Sequence, residues 1–330
     1  MTLIAYKKVL KKLNLIVKSN SFKDENLIKT IENIASFNNF KSRIKLMLNS
    51  LNLKGLLYGY YPSSYLNNYV NLIRKLYYDK NNDINIYNNY NHKLIDTSYI
   101  YINKNNFESE IDNVIINFYQ LDTNLNIKSS LISTIIELIW EDAYYKTLRT
   151  EQQLGYIVAS IKTLIDNVNY YLFIVQGAAK KPDYINIEID KITNSFLKDK
   201  IESLTPAILL KIKSKVIAEI NKRFVNLNEK SSLAWNEIIT DAYIFDRREQ
   251  ANDIINWIET KDIKNMFYDV FYNKPRKLSI QIYNGQMKDF DKTVEDISSK
   301  EKYYYLNKNI KNIITDRTDM LKNNKDLFNK

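Results

Sequence analysis

Apolar residues recur along most of this chain at helical spacing, and short β-branched or aromatic runs separate the helical stretches. Apolar residues three or four positions apart lie on one face of a helix, whereas a period of two is typical of a half-buried strand. The two patterns are mixed without strict alternation of strand and helix. This mixture predicts an α+β fold in which helices cover a largely antiparallel sheet.

Five segments have helical spacing, and the longest covers about 128–149. Thr205-Pro206 is a clear helix start, because threonine can cap the helix and proline suits its first position. Pro62-Ser63-Ser64, Pro182 and Thr260 are further start signals. The apolar positions of the predicted helices are Leu66, Tyr69, Ile73 and Leu76; Leu131, Ile135, Leu138 and Ala143; Ile185, Ile189, Ile192 and Phe196; Leu209, Ile212, Val216, Ile220 and Phe224; and Ile263, Phe267 and Val270.

Strands are predicted between these helices. The β-branched or aromatic runs are Leu56–Tyr60, Ile111–Leu121, Leu154–Ile161 and Tyr170–Gln176. Leu278–Tyr283 alternates apolar and polar residues and predicts a half-buried strand. The Asn-rich stretch 80–91 predicts a polar surface loop. A weak repeat, in which Ile44–Met47 and Ile263–Met266 each precede a predicted strand near a glycine, suggests about one and a half copies of a long unit.

Length and charge limit the class of protein. The chain has 330 residues, which at ~150 residues per domain suggests about two domains. Its formal net charge of +10 is compatible with nucleic-acid binding. However, only eight arginines are present, and acidic residues are interspersed among the lysines along the chain. This pattern favours a solvated lysine-rich surface, so nucleic acid is not an expected partner.

The absence of cysteine excludes disulfides, a thiolate metal site and a cysteine nucleophile. No stretch of 18 or more apolar residues occurs, and the N-terminus lacks the uninterrupted apolar block of a secretory signal. The sequence therefore predicts no membrane-spanning helix, no membrane partner and a cytoplasmic location.

Residues for a hydrolytic centre are scarce. A hydrolytic zinc site needs about three protein ligands, but His92 is the only histidine and is interpreted as a solvated side chain. A Ser–His–Asp triad would need the same histidine, and the five glycines form no phosphate-binding loop. We therefore expect no catalytic residue, no metal ligand, no cofactor and no peptidase activity from this chain alone.

Residues 148–160 join the long predicted helix to a predicted strand, and Gly155 permits a sharp structural turn between them. Arg149 and Tyr156 flank this corner, and both can donate hydrogen bonds. Two fixed donors can hold a peptide carbonyl and stabilise the charge that develops on its oxygen during hydrolysis. The alternative is structural: Arg149 would face helix-end carbonyls or Glu141, and Tyr156 would lie in the core.

The corner contains an LRTxxQLGY pattern. The residues in register are Leu148, Arg149, Thr150, Gln153, Leu154, Gly155 and Tyr156, followed by Ile157-Val158. On this pattern the chain resembles the insulinase (pitrilysin) family of zinc metallopeptidases. Looser matches occur at 54–59, 115–145, 245–247 and in the tail 315–328. The resemblance covers nearly the whole chain and is strongest at about 115–176.

The resemblance implies an architecture and a role. Family members have four homologous α+β domains in two halves that close around a chamber, and the first domain holds the zinc and the general-base glutamate. On that basis, residues 1–95 are predicted to be a partial third domain and 96–330 a complete fourth domain with a C-terminal extension. Arg149 and Tyr156 would then contact the substrate backbone and the transition state.

Both N-terminal domains and the zinc ligands of the family are absent from this sequence. The first functional hypothesis is a C-terminal half that binds peptides in a closed chamber and supports proteolysis with a zinc-bearing N-terminal half, encoded upstream or as a separate chain. The alternative hypothesis is a non-catalytic structural or assembly subunit of an insulinase-like complex.

Overall fold

Helices make up most of the described chain, and the six strands within it form one sheet. The computed structural model describes residues 5–17, 24–34, 36–49, 54–77, 98–121, 126–165, 168–273, 275–299 and 310–314. The helices are α1 (Ala5–Val17), α2 (Asp24–Ile34), α3 (Phe37–Asn49), α4 (Ser63–Tyr77), α5 (Ile127–Tyr144), α6 (Pro182–Ile192), α7 (Lys198–Glu202), α8 (Pro206–Ile220), α9 (Leu227–Ile239), α10 (Arg247–Ile254), α11 (Thr260–Tyr268) and α12 (Phe290–Ser299). The strands are β1 (Ser98–Lys104), β2 (Asn113–Gln120), β3 (Ile157–Ile165), β4 (Val168–Gly177), β5 (Lys277–Tyr283) and β6 (Ile310–Ile314). Short π-helical turns follow α5, α6 and α11 at Tyr145–Glu151, Thr193–Leu197 and Asp269–Asn273.

The described residues divide into two compact units. Unit 1 lies within residues 1–19, 91–221 and 247–330 and contains the sheet. Unit 2 lies within residues 20–90 and 222–246 and is helical in its described part. The assignment of 1–95 and 96–330 to a partial and a complete insulinase-type domain stays a prediction.

The strands lie in the order β3-β4-β2-β5-β1-β6. Neighbours from β3 to β5 pair antiparallel, whereas β1 runs parallel to both β5 and β6. The prediction of a mixed fold with a mostly antiparallel sheet is confirmed. In the described sheet, β3 forms one edge and β4 separates it from β2, so the starts of β2 and β3 both lie beside the end of β4.

Helices cover the sheet on both faces. On one face, α1 contributes the fully buried Val9 and Leu13 to a core with Phe118. On the other face, α5 places Trp140 against the ring of Tyr171 at 4.4 Å between ring centroids. Burial of each such side chain contributes roughly 1.5–3 kcal/mol. Strands covered on both faces are apolar along most of their length, as β2 and β4 are.

The prediction that Leu278–Tyr283 is a half-buried strand is wrong, because β5 is buried along its whole length. Ser279 and Gln281 point toward α6 rather than toward water, and both have no exposed surface. The side chain of Asn186 in α6 accepts a hydrogen bond from Lys277 Nζ at 3.2 Å. The polar side chains of β5 on this face therefore find hydrogen-bond partners inside the protein.

In the helices of unit 1, two predicted apolar positions are exposed. Phe196 is 42% exposed because the π-helical turn after α6 shifts the buried positions: Ile192 is followed by Leu197, five residues later. Leu138 is 37% exposed because the buried face of α5 runs through Ile136 and Trp140 instead. The helices themselves are confirmed in both places.

In unit 2, both a predicted strand and a predicted buried helix face differ from the structure. The strand predicted at Leu56–Tyr60 is wrong, because residues 54–60 form no strand and pair with no strand in the described chain. The helix predicted after Pro62 is confirmed as α4, but Leu66 and Tyr69 on its apolar face are 43% and 62% exposed. The Asn-rich stretch 80–91, His92 and the tail 315–328 lie outside the described residues.

The start of α8 follows the Thr205-Pro206 signal, and Thr205 Oγ1 accepts a hydrogen bond from the Ile208 amide at 3.3 Å. We expect Thr205→Ala to lower the free energy of unfolding by about 1 kcal/mol, since this amide loses its cap. Urea denaturation measures the change. Lys215→Ala, an exposed substitution on the same helix, is the control. Equal stability of all three proteins would contradict the capping role.

Candidate functional site

The candidate site lies where α5 gives way to β3. A π-helical turn at Tyr145–Glu151 ends α5, and Gln153 then adopts a left-handed backbone with φ +51°. Leu148 and Leu154 anchor the two sides of this corner in the core, and the Leu154 amide donates to the Leu148 carbonyl at 2.9 Å. Wide turns and left-handed non-glycine residues are enriched at functional sites.

Gly155 lies at the closest approach of the corner to β4. A Cβ atom at this position would lie 2.4 Å from the Gln176 carbonyl oxygen and 2.9 Å from Val175 Cγ1. The next amide, that of Tyr156, donates to the same Gln176 carbonyl at 2.9 Å. Gly177 is also confined, since its Cβ would lie 2.8 Å from the Gly155 Cα. Only a residue without a side chain fits here.

Arg149 is half-buried and points toward the turn that follows it. Its Nη1 donates to the Gly155 carbonyl oxygen at 2.6 Å, which closes the corner between the π-helical turn and β3. A guanidinium has five N–H groups, so one hydrogen bond leaves most of its donor capacity. Arg149 can therefore hold the corner and still donate to a bound molecule.

Tyr156 is 53% exposed, so its ring does not belong to the core. Its hydroxyl donates to Asp112 Oδ2, and Gln176 Nε2 donates to the tyrosine oxygen at 2.5 Å. Gln176 Nε2 also donates to Asp112 Oδ2 at 2.8 Å. Partial desolvation and the bond to Asp112 raise the pKa of the Tyr156 phenol, which keeps it protonated at neutral pH.

Arg149 and Tyr156 line the same open concavity, which has a volume of about 590 Å³. The other lining residues are Tyr145, Thr150, Gln153, Gly155, Gly177, Ala178 and Ala179. The structure thus brings the two predicted site residues together around Gly155. It agrees with the structural alternative in that Arg149 faces a carbonyl, and departs from it in the exposure of Tyr156.

Asp112 and Gln176 were missed by sequence reasoning. Asp112 precedes Asn113, which pairs with Gly177, while Ile157 pairs with Gln176. The register of three strands therefore brings Asp112, Tyr156 and Gln176 together, and no local pattern signals this contact. A correct alignment of β2, β4 and β3 could have predicted it.

Three further hydrogen bonds tie the corner and the strand that follows it to neighbouring helices. Gln152 Nε2 donates to Glu188 Oε2 of α6 at 2.9 Å, and the Glu188 side chain is buried. On the edge strand, Lys162 Nζ donates to Thr134 Oγ1 of α5 at 2.6 Å. The Lys162 amide donates to Glu137 Oε1 at 2.6 Å, which ties this edge of the sheet to α5.

Burial lowers the pKa of Lys162 to about 8, partly opposed by the charge of Glu137. In the unfolded chain lysine keeps a pKa of about 10.4, so between these values the unfolded state binds more protons. The free energy of unfolding should therefore rise by about 2 kcal/mol from pH 8 to pH 10 through this residue. Above pH 10 the buried tyrosines Tyr119, Tyr144 and Tyr171, whose pKa values burial raises, reverse the trend.

The check is urea denaturation across this pH range with wild type and Lys162→Met, which keeps the length of the side chain without its charge. Wild type should gain stability relative to the variant as the pH rises. Parallel curves for the two proteins would contradict the assigned burial penalty.

The residues that the structure describes contain no group of three or more His, Cys, Asp or Glu side chains that could hold a metal ion. These residues therefore do not fit the ligand set that a zinc ion requires. No helix of the described chain has both the length and the apolarity needed to cross a bilayer.

A family model described as "PQQ synthase PqqF-like, C-terminal lobe domain 4" matches residues 135–235, which include the corner. The chain is 25% identical over 198 residues to "Insulin-degrading enzyme-like 1, peroxisomal" of Arabidopsis thaliana, covering 57% of this chain and 20% of that protein. It is 26% identical over 168 residues to human insulin-degrading enzyme, covering 50% of this chain and 16% of that protein. The chain thus spans about one fifth or less of the length of these relatives.

Solved structures share the fold. Pitrilysin superposes with a TM-score of 0.52 at 18% identity, over 68% of this chain and 22% of that one. The periplasmic protease PqqL from Escherichia coli superposes with a TM-score of 0.51 at 11% identity, over 77% of this chain and 29% of that one. Together with the corner motif, the sequence matches show that the chain resembles the insulinase (pitrilysin) family, and in particular the C-terminal part of insulin-degrading enzyme.

Proposed function

We propose that this chain acts as the C-terminal half of an insulinase-type metalloendopeptidase, binding peptide in a closed chamber while a zinc-bearing N-terminal half hydrolyses it. The observation that carries the proposal is that Arg149 and Tyr156 line one open concavity beside Gly155. The resemblance to the insulinase family and the match of residues 135–235 to a C-terminal lobe model support it.

In the proposed chemistry, this chain holds hydrogen-bond donors in position beside the bound peptide. The Arg149 guanidinium keeps N–H groups for a peptide carbonyl, where its positive charge would offset charge that develops on the oxygen. Gly155 lets the backbone approach β4 closely, which sets the direction of both flanking side chains. Zinc and its activating glutamate would belong to the other half.

The proposed organisation follows the family. Residues 1–95 would complete a third domain with preceding sequence or a partner chain, and 96–330 would form the fourth domain. The family-model match, named as domain 4, falls inside the second of these ranges. A cytoplasmic location stays a prediction, and one relative is named as peroxisomal.

The test combines this chain with the zinc-bearing insulinase-type half encoded in the same genome. Reduced and alkylated insulin B chain is a suitable unfolded peptide, given the name of the human relative. We expect the two chains to elute together from a sizing column and to cleave the peptide faster than the zinc-bearing half does alone. Equal cleavage with and without this chain would overturn the proposal.

A second candidate function is a non-catalytic assembly subunit. It is favoured by the partners that both site residues already have, namely the Gly155 carbonyl for Arg149 and Asp112 with Gln176 for Tyr156. Such bonds also suit residues that only hold a corner together. Co-elution of the two halves, without any change in cleavage, would support this function over the first.

A further inference from the structure

The π-helical turn at Tyr145–Glu151 is attached to α6 on both of its sides. Just before the turn, the buried Tyr144 hydroxyl donates to the Ile189 carbonyl of α6 at 3.2 Å. Just after the turn, Gln152 Nε2 donates to Glu188 Oε2 of α6 at 2.9 Å. Helix α6 therefore holds the two ends of the segment that carries the arginine of the candidate site.

Helix α6 is itself fixed on the sheet by buried polar contacts. Asn117 Nδ2 of β2 donates to Asn186 Oδ1 of α6 at 2.7 Å. Lys277 Nζ of β5 donates to Asp190 Oδ1 of α6 at 2.5 Å, and the lysine side chain is 8% exposed. Breaking a buried hydrogen bond leaves an unsatisfied polar group, so a helix held in this way has one preferred position. A residue that bonds to α6 is therefore held in place relative to the sheet.

The end of the turn at Gln152 sets the geometry of Arg149. The Gln152 amide donates to the Thr147 carbonyl at 2.9 Å, and Arg149 lies inside the ring that this bond closes. The next residue, Gln153, has a left-handed backbone, which a non-glycine residue keeps only where surrounding contacts hold it. Beyond it lies Gly155, whose carbonyl accepts from Arg149 Nη1. The place of Gln152 thus fixes how far the backbone of Arg149 lies from the carbonyl that holds its guanidinium.

Glu188 is suited to hold Gln152 in this place. Its side chain is only 8% exposed, and a carboxylate only accepts hydrogen bonds, so the Gln152 amide must present its nitrogen. Lys191 Nζ donates to the other carboxylate oxygen at 2.7 Å, which pairs the charge. A hydrogen bond to a charged acceptor is stronger than one between neutral groups.

We infer that Glu188 is a positioning residue for Arg149: through Gln152 it fixes the end of the π-helical turn, so that the guanidinium bonds to the Gly155 carbonyl and faces the concavity. This inference rests on the proposed function, since it adds a residue outside the concavity to the same site. Glu188 touches no bound molecule in this role and acts only through the corner.

The positioning role can be tested on the full chain without any peptide. NMR of isotope-labelled arginine measures rotation of a guanidinium about its Cζ–Nη bonds, and Arg149→Lys identifies the signal by removing it. We expect Glu188→Ala and Gln152→Ala each to speed the rotation in Arg149 about fivefold, as loss of one ordinary hydrogen bond would. Glu188→Gln keeps an acceptor oxygen for Gln152 and should keep the slow rotation. Unchanged rotation in both alanine variants would overturn the positioning role.

The functional consequence is measured with the two-chain mixture and insulin B chain. Glu188→Ala and Gln152→Ala should each lower kcat about tenfold and leave KM nearly unchanged, because a misplaced Arg149 loses its contact mainly with the transition state. The double variant should be no slower than either single variant, since both remove the same bond. Glu188→Gln should restore most of the rate. Glu295→Ala, which removes an exposed glutamate of α12, is the matched control and should cleave like wild type.

The outcomes separate this inference from the proposed function. Equal kcat for wild type and both alanine variants would overturn the positioning role while the proposed function stands. A double variant whose loss is the product of the two single losses would overturn it as well, because the two residues would then act separately. If the wild-type mixture does not cleave the peptide, the proposed function fails, and the NMR measurement decides whether Glu188 positions Arg149. If urea denaturation shows that Glu188→Ala does not fold, Gln152→Ala removes the same bond from an exposed residue and decides the question.

Discussion

Replacing Gly155 with alanine is expected to lower the free energy of unfolding by about 3 kcal/mol, at the upper end of the range for overpacked sites. The added Cβ would lie 2.4 Å from the Gln176 carbonyl oxygen, which belongs to the backbone of β4 and cannot rotate away. The corner would have to move off the sheet and break the hydrogen bond from the Tyr156 amide to the same carbonyl. Peptide cleavage with the zinc-bearing half should fall as well, because Arg149 and Tyr156 flank the displaced turn.

Gly55→Ala is the matched control, because a Cβ there meets no atom within 4 Å. Its unfolding midpoint in urea should lie close to that of wild type. Equal midpoints for Gly155→Ala and Gly55→Ala would show that the corner is not closely packed against β4.

Replacing Arg149 with alanine should reduce kcat/KM for peptide cleavage by the two-chain mixture about 100- to 1000-fold, as loss of one transition-state donor does elsewhere. The reason is that, among the described residues lining the concavity, no other side chain carries a positive charge. Arg149→Lys should recover only part of the rate, because an ammonium group cannot donate both to the Gly155 carbonyl and to substrate in the planar geometry of a guanidinium.

The control for this prediction is Arg223→Ala, which removes an exposed arginine outside the concavity. Its rate should match wild type. Unfolding of Arg149→Ala should be measured in parallel, because the lost bond to Gly155 also loosens the corner. A folded Arg149→Ala protein with an unchanged rate would support the non-catalytic function instead.

The helices could be predicted from the sequence because their signals are local. The apolar spacing of Ile185 and Ile189, and the cap at Thr205, depend on residues within a few positions of one another. The one wrong position on α6 and its following turn also has a local cause. Phe196 was misplaced because a π-helical turn changes the period from within the helix, and 3.6-residue spacing carries no sign of it.

Strands were harder to predict, because a strand exists only where another segment pairs with it. Leu56–Tyr60 has a strand-like composition but pairs with no strand in the described chain. Leu278–Tyr283 is a strand, but its polar residues are buried under α6, a contact between segments about 90 residues apart in sequence. The alternation of apolar and polar residues predicted that one face of this strand would be exposed to water, but α6 covers that face.

The candidate site likewise contains residues that a local motif predicts and residues that only the strand register brings together. Arg149, Gly155 and Tyr156 lie within eight residues and could be found from a single motif. Asp112 and Gln176, which determine what the tyrosine hydroxyl can do, come from separate strands and depend on sheet register. The motif therefore located the site, and the register of the sheet decides its hydrogen-bonding character.

Photo-crosslinking can show whether the Arg149–Tyr156 concavity contacts substrate. A photoreactive phenylalanine analogue at position 145, whose side chain lines the concavity, is compared with one at the exposed position 184 in the two-chain mixture with insulin B chain. We expect a crosslink to the peptide from position 145, lost in Arg149→Ala, and none from position 184. A peptide that is cleaved by the mixture without ever crosslinking at position 145 would contradict it.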